Sequence, residues 1–243
     1  MSLLQAEDLS KSFGGITGLS ACCISVEEGE IAGLIGPNGS GKTTLFNVMT
    51  GYERPDGGRV RVRGKTITNA SPRTVFRLGV GRTFQLTRIF ARLTVEENVH
   101  VAVQRPGFRG MLGRWTAARE QERVRDMLDF TGLTNLRALP AGSLSYGQKK
   151  LLEFATVLVA EPKVVLLDEP AGGINPTMIT YLADRIQVLN EQGVTFLIVE
   201  HNMEFVMGLC HRISVMHRGT VIAEGRPAEI RRNQAVLDAY LGD

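Results

Sequence analysis

Residues Gly36-Pro37-Asn38-Gly39-Ser40-Gly41-Lys42-Thr43 fit the pattern G-x-x-x-x-G-K-[ST]. These eight residues constrain the chain on both sides. Ile31-Ala32-Gly33-Leu34-Ile35 runs into them and reads as a buried strand. After them Leu45, Phe46, Val48 and Met49 recur as one face of a helix. Strand, glycine loop, helix is the context in which such a loop works. Its glycines let backbone N–H groups converge on phosphates where a Cβ would clash. The helix start adds unpaired donors and the positive end of a dipole. Gly36, Asn38, Gly39, Ser40, Gly41 and Thr44 are expected around the phosphates. Lys42 is expected to span the β- and γ-phosphates, and Thr43 to offer its hydroxyl to Mg²⁺. The chain is therefore expected to bind a nucleoside triphosphate. At this point an ATPase, a GTPase and a kinase all remain open.

Two further apolar runs, Val164-Val165-Leu166-Leu167 and Val194-Thr195-Phe196-Leu197-Ile198-Val199, read as parallel strands buried on both faces. Each is followed by a turn and a helical pattern. That repetition predicts an α/β fold with a mostly parallel sheet. The N-terminal stretch reads as strands. In Gly58-Arg59-Val60-Arg61-Val62-Arg63 arginine alternates with valine, which gives one apolar and one basic face. From about Val95 to Leu139 there is little strand pattern. There Trp115 to Thr131 reads as an amphipathic helix through Val124, Met127, Leu128 and Phe130. We expect one domain over 1–243, with an inserted helical subdomain near 95–160 and a short tail at 223–243.

Composition narrows the classes. Of 243 residues, 43% are hydrophobic and 22% charged, which excludes a mostly disordered chain. A net charge of +3 is too small to imply nucleic-acid binding. No window approaches the roughly 18 apolar residues of a membrane span. Glu7 and Asp8 come too early for a secretory signal. The three cysteines, Cys22, Cys23 and Cys210, are expected to be reduced, partly buried thiols in a cytosolic protein.

Val164–Leu167 ends in Asp168-Glu169-Pro170. In a doubly wound sheet the C-terminal strand edge is where ligands sit. Asp168 is placed to hold Mg²⁺, directly or through water. Glu169 can orient and polarise an attacking water. Three more features stand in order along the chain: Gln85 in Arg82-Thr83-Phe84-Gln85, the turn Leu144-Ser145-Tyr146-Gly147-Gln148, and His201 after Ile198-Val199-Glu200.

In this order the sequence resembles the ATP-binding cassette (ABC) family over nearly its whole length. The resemblance implies a P-loop NTPase core with an N-terminal antiparallel part and an inserted helical subdomain. It implies ATP and Mg²⁺ as ligands. Ser145, Gly147 and Gln148 would meet the γ-phosphate of a nucleotide held by a second subunit, so that two cassettes close around two ATP molecules. His201 would contact the γ-phosphate and hold Glu169 in line. Gln85 would sense Mg²⁺ and link the core to the helical subdomain. Phe13 would stack on the adenine ring. The chain lacks the Asn-Lys-x-Asp motif that reads guanine. Two residues depart from the common pattern. Tyr146 stands where relatives most often have glycine, and its ring must point away from the phosphate. Asn175 stands where many have aspartate.

Gly79 to Val99, Asp168 to Pro176 and Ala223 to Gly242 are similar to the ATPase subunits of branched-chain amino acid importers. The resemblance implies two membrane permease subunits, a substrate-binding protein, and either a homodimer or a heterodimer with a paralogous ATPase. The subunit would sit in the cytoplasm, peripheral on the inner face of the membrane. Related urea-import or lipopolysaccharide-export ATPases, and ABC ATPases that move no solute, are the alternatives. Phe84, Leu86, Ile89, Phe90 and Leu93 are candidates for a groove that receives a permease helix.

Overall fold

A computed structural model describes residues 2–85, 87–103 and 114–241. Strands β1 (Ser2–Phe13) and β2 (Ile16–Glu27) form a long antiparallel hairpin. Its turn is Gly14-Gly15, both in the left-handed region at φ 54° and 90°. Strand β3 (Ile31–Ile35) is buried throughout and runs through the glycine loop into α1 (Lys42–Met49). Strands β4 (Gly57–Val62) and β5 (Lys65–Thr66) complete a four-stranded sheet in the order β2-β1-β4-β5. On β4, Val60 and Val62 face the core. The basic face is a paired strand surface: Arg59 and Arg61 meet Glu7 at 3.8 and 3.1 Å.

Helix α2 (Pro72–Arg77), capped by Ser71, leads to β6 (Val80–Arg82). Three helices follow: α3 (Val95–Ala102), α4 (Arg114–Phe130) and α5 (Tyr146–Leu158). Then come β7 (Val164–Asp168), α6 (Pro176–Glu191), β8 (Thr195–Val199), α7 (Met203–Leu209) and β9 (Arg212–His217). Strand β10 (Thr220–Gly225), α8 (Pro227–Ile230) and α9 (Gln234–Leu241) end the described chain. The second sheet has the order β10-β9-β3-β8-β7-β6, and only β9–β10 is antiparallel. The α/β class expected from the apolar runs is the class observed.

Both faces of this sheet are covered, so the central strands β3, β7, β8 and β9 each feed two clusters. Val165 and Leu167 face one, Val164 and Leu166 the other. Val99, Val124, Leu128 and Leu152 of the three helices share a cluster with Val165 and Phe196 of the sheet. The register then fixes the site. Leu34 and Asp168 both pair with Val199, so β3, β7 and β8 end together. The glycine loop, Glu169 and His201 leave from that one edge. Among the described residues no helix is long and apolar enough to cross a membrane.

The cysteine expectation needs one correction. Cys22 and Cys210 are buried, and burial pushes both thiols up to about 12. Cys23 is exposed, because successive strand residues point to opposite faces of a sheet.

Candidate active site

The loop after β3 has the shape its glycines predict. Gly36 adopts φ +152°, and a Cβ there would lie 2.1 Å from the Met216 carbonyl oxygen. At Gly41, with φ +103°, it would lie 2.3 Å from the Gly18 carbonyl oxygen. Gly39 turns toward open space, beside exposed Asn38. Helix α1 has no side-chain cap and no acid in its first turn. Its first N–H groups therefore lack helical partners. Lys42 is buried, and its Nζ donates to the carbonyls of Gly36 and Pro37, both at 2.8 Å, and to Ser40 Oγ at 3.4 Å. Burial holds the Lys42 pKa below the usual lysine value, against the pull of Glu169 and Asp168. Uncapped donors, a buried cation and a turn open to solvent fit a polyphosphate. Thr43 is exposed and Thr44 half-buried at the helix start. Phe13 is 45% exposed rather than packed in the core. A Cβ on Gly18 would touch both Phe13 and Thr44, so the ring stands beside α1.

Asp168 and Glu169 occupy different surroundings. Asp168 is buried, and its Oδ2 accepts from Arg82 Nη2 at 3.1 Å. Arg82 also donates to Asn47 Oδ1 at 2.7 Å and Thr50 Oγ1 at 3.0 Å. Burial raises the Asp168 pKa, and Arg82 works against that rise. Glu169 has φ +49°, uncommon for a residue with a Cβ. Its N–H donates to the Val199 carbonyl at 2.9 Å. The carboxylate then sits between two side chains: Gln85 Nε2 donates to Oε2 at 2.9 Å, and His201 Nε2 lies 3.1 Å from Oε1. The fold thus gathers Gln85, Glu169 and His201 from three distant segments.

Ser145 is the N-cap of α5 and is exposed. Its Oγ accepts from Gln148 N–H at 3.3 Å, and Gln148 Oε1 accepts from Ser145 N–H at 2.9 Å. Gln148 is thereby engaged in a capping box. The Tyr146 ring lies against Gly173, where a Cβ would come within 2.9 Å of it. Gly147 faces Ile174 and Met178. No hydrogen bond among the described residues joins Ser145, Gly147 or Gln148 to Lys42, Asp168 or Glu169. Asn175 caps α6, with Oδ1 accepting from Met178 N–H at 2.9 Å.

Four charged residues in the site had no role in the sequence reading: Arg82, Lys150, Glu153 and Glu200. Lys150 Nζ donates to the Glu169 carbonyl, and burial lowers its pKa. Glu200 is buried; one oxygen accepts from Ala171 N–H at 2.6 Å, the other from His201 and Asn202 N–H at 2.8 and 3.1 Å. Glu153 accepts from Phe84 and Arg88 N–H, and burial still pushes its pKa up to about 7. The signal was present: Lys150 and Glu153 interrupt the otherwise apolar run Leu151, Leu152, Phe154 and Ala155.

The profile of the ABC transporter family matches residues 19–172. The chain belongs to that family. A second profile, the branched-chain amino acid ATP-binding cassette transporter, matches residues 220–243. A probable branched-chain amino acid transport ATP-binding protein LivG of Archaeoglobus fulgidus is 41% identical, over 100% of this chain and 96% of its own length. The high-affinity LivG protein of Salmonella typhimurium is 39% identical, over 99% and 98%. A nucleotide-free ATP-binding cassette from an ABC transporter superposes at a TM-score of 0.88, with 35% identity and complete coverage of both chains. As an ABC transporter cassette, this chain binds ATP and hydrolyses it. The glycine loop and the acid pair leave from the one β3–β7–β8 edge.

Proposed function

We propose that the chain is the ATPase subunit of an importer for branched-chain amino acids. The observation that carries this is its full-length likeness to LivG proteins, extending into the tail at 220–243. It would work as a homodimer, or as a heterodimer with a paralogous ATPase. Two integral membrane permease subunits would hold it at the inner face of the membrane, with a substrate-binding protein delivering the solute.

Within each cassette, Gly36 to Thr44 wrap the phosphates and Phe13 stacks on adenine. Thr43, Asp168 and Gln85 would hold Mg²⁺, which would offset the charge of the phosphates. Glu169 orients the attacking water and takes its proton. His201, through its contact with Glu169, keeps that carboxylate in line. Exposed Ser145 and half-buried Gly147, at the start of α5, supply donors to the nucleotide of the opposing cassette. Gln148 supports them from the capping box. Residues 95–160 act as the helical arm that carries Ser145. Hydrolysis removes the phosphate that bridges two cassettes, and their parting drives the permeases.

Lys42→Ala is expected to weaken ATP binding ~30-fold, about 2 kcal/mol, the worth of a charge-assisted contact. Equilibrium titration with ATP checks this; unchanged affinity would contradict the cradle.

The docking groove has a concrete candidate. A cavity of about 360 Å³ is lined by Tyr52, Arg82, Phe84, Arg88, Phe90 and Val101, among others. Phe90 is 58% exposed. Leu86 lies outside the described residues. Ile89 packs on the core cluster rather than lining the cavity. Phe90→Asp is expected to cut co-purification with the permeases ~10-fold, because a charge would be buried against an apolar helix. Uptake of labelled leucine into vesicles holding the whole complex tests the transport reading. ATP-independent uptake, or none of any branched-chain amino acid, would sink it.

A further inference from the structure

Phe84–Gln85 and Thr87–Phe90, either side of Leu86, lie between the sheet edge and the helices. Two buried side chains hold these residues. Asn98 of α3, 2% exposed, accepts from Phe90 N–H at 2.7 Å and donates to the Phe90 carbonyl at 3.1 Å. Glu153 of α5, 4% exposed, uses one oxygen, Oε1, for two amides: Phe84 N–H at 3.1 Å and Arg88 N–H at 3.2 Å. Those amides stand on either side of Gln85, so a single oxygen closes the neck of the loop. Thr83 N–H to the Leu166 carbonyl and Leu93 N–H to the Phe90 carbonyl are the nearest backbone–backbone bonds among the described residues. The position of Gln85 therefore depends on side chains. One helical turn before Glu153, Lys150 donates to the Glu169 carbonyl. Helix α5 thus grips both partners of the Gln85–Glu169 contact at 2.9 Å.

We propose that Glu153 is a positioning residue for ATP hydrolysis: its Oε1 fixes Gln85, and through Gln85 the carboxylate of Glu169. A buried carboxylate is a costly way to fill space that leucine fills on the same helix. What it supplies is an acceptor at a fixed point. Displacement of a catalytic group by about 1 Å can cost as much as ~100-fold in rate. The inference rests on the reading of Gln85 as a residue that faces the nucleotide.

The test uses the full-length chain and steady-state ATPase kinetics, with a thermal melt as folding control. Glu153→Gln keeps an oxygen at the same reach and is expected within ~3-fold of the parent kcat. Glu153→Asp withdraws the oxygen by about 1.5 Å and breaks both bonds. It is expected to lower kcat at least ~10-fold, with KM for ATP changed less than ~2-fold. Combining Glu153→Asp with Gln85→Ala is expected to be no slower than Gln85→Ala alone, because both act through one group. Glu153→Ala should follow Glu153→Asp; if it fails to fold, the Gln and Asp variants decide. A parent-like Glu153→Asp, a Glu153→Gln as slow as Glu153→Asp, or multiplicative losses in the double variant overturns the proposal. If Gln85→Ala alone leaves turnover unchanged, the reading of Gln85 fails. If Gln85→Ala is slow and Glu153→Asp is not, only the role of Glu153 falls.

Discussion

Glu169→Gln is expected to leave ATP bound and to slow hydrolysis ~10³-fold, about 4 kcal/mol of barrier. Binding should survive because the proposed phosphate cradle lies elsewhere, from Gly36 to Thr43 and the uncapped start of α1. The carboxylate has a different task. Its two oxygens face Gln85 Nε2 at 2.9 Å and His201 Nε2 at 3.1 Å, and its main chain is held at φ +49° by Val199 and Lys150. A glutamine of the same size keeps the packing. It offers one oxygen where the carboxylate has two, and its amide faces a donor. It also has no basicity with which to take a proton from water. Equilibrium ATP binding alongside single-turnover hydrolysis separates the two effects. Turnover within ~3-fold of the parent would remove Glu169 from the role of general base.

The parts of this site that were legible in the sequence are those whose function is local. The glycine loop is one, since eight consecutive residues and their two flanks make up the whole proposed cradle. The buried strands are another, because apolar runs with turns after them leave few other folds. The supporting residues were not legible, because their partners are remote in sequence. Arg82 meets Asp168 across 86 residues, and Glu153 meets Phe84 across 69. No periodicity reports such a pairing; a charge on an apolar helix face only marks that a partner must exist. Gln148 is a different case. Its capping box with Ser145 is an S-x-x-Q pattern that local chemistry could have identified. The sequence reading had it only as a contact to the second nucleotide. Tyr146 was a concern because of its size, and its resting place against Gly173 depends on a turn 27 residues away, which opens the way to α6.

Arg82→Leu is expected to destabilise the free chain by about 3–5 kcal/mol, through Asp168 rather than through lost packing. The pair is almost wholly buried, with side-chain exposures of 6% and 4%. Arg82 is the cation bonded to Asp168, and Thr83 Oγ1 engages only the Asp168 main chain. Leucine would fill much of the space among Phe46, Tyr52 and Phe84, whose rings the guanidinium now faces. It would leave a carboxylate buried without its charge partner. For a chain of this length each kcal/mol moves Tm by roughly 2–4 °C, so a fall of roughly 6–20 °C is expected. The pH dependence has a definite sign. Burial already raises the Asp168 pKa in the folded state, and removing Arg82 raises it further. A carboxyl whose folded pKa exceeds its unfolded value destabilises the fold as pH climbs through that interval. The deficit should therefore be larger at pH 8 than at pH 5. Asp168→Asn in the same chain removes the buried charge, so the double variant should recover most of the loss. Urea unfolding of the parent, both single variants and the double variant measures this cycle. A deficit below ~1 kcal/mol, or one that persists undiminished beside Asp168→Asn, would mean that Arg82 acts by packing alone.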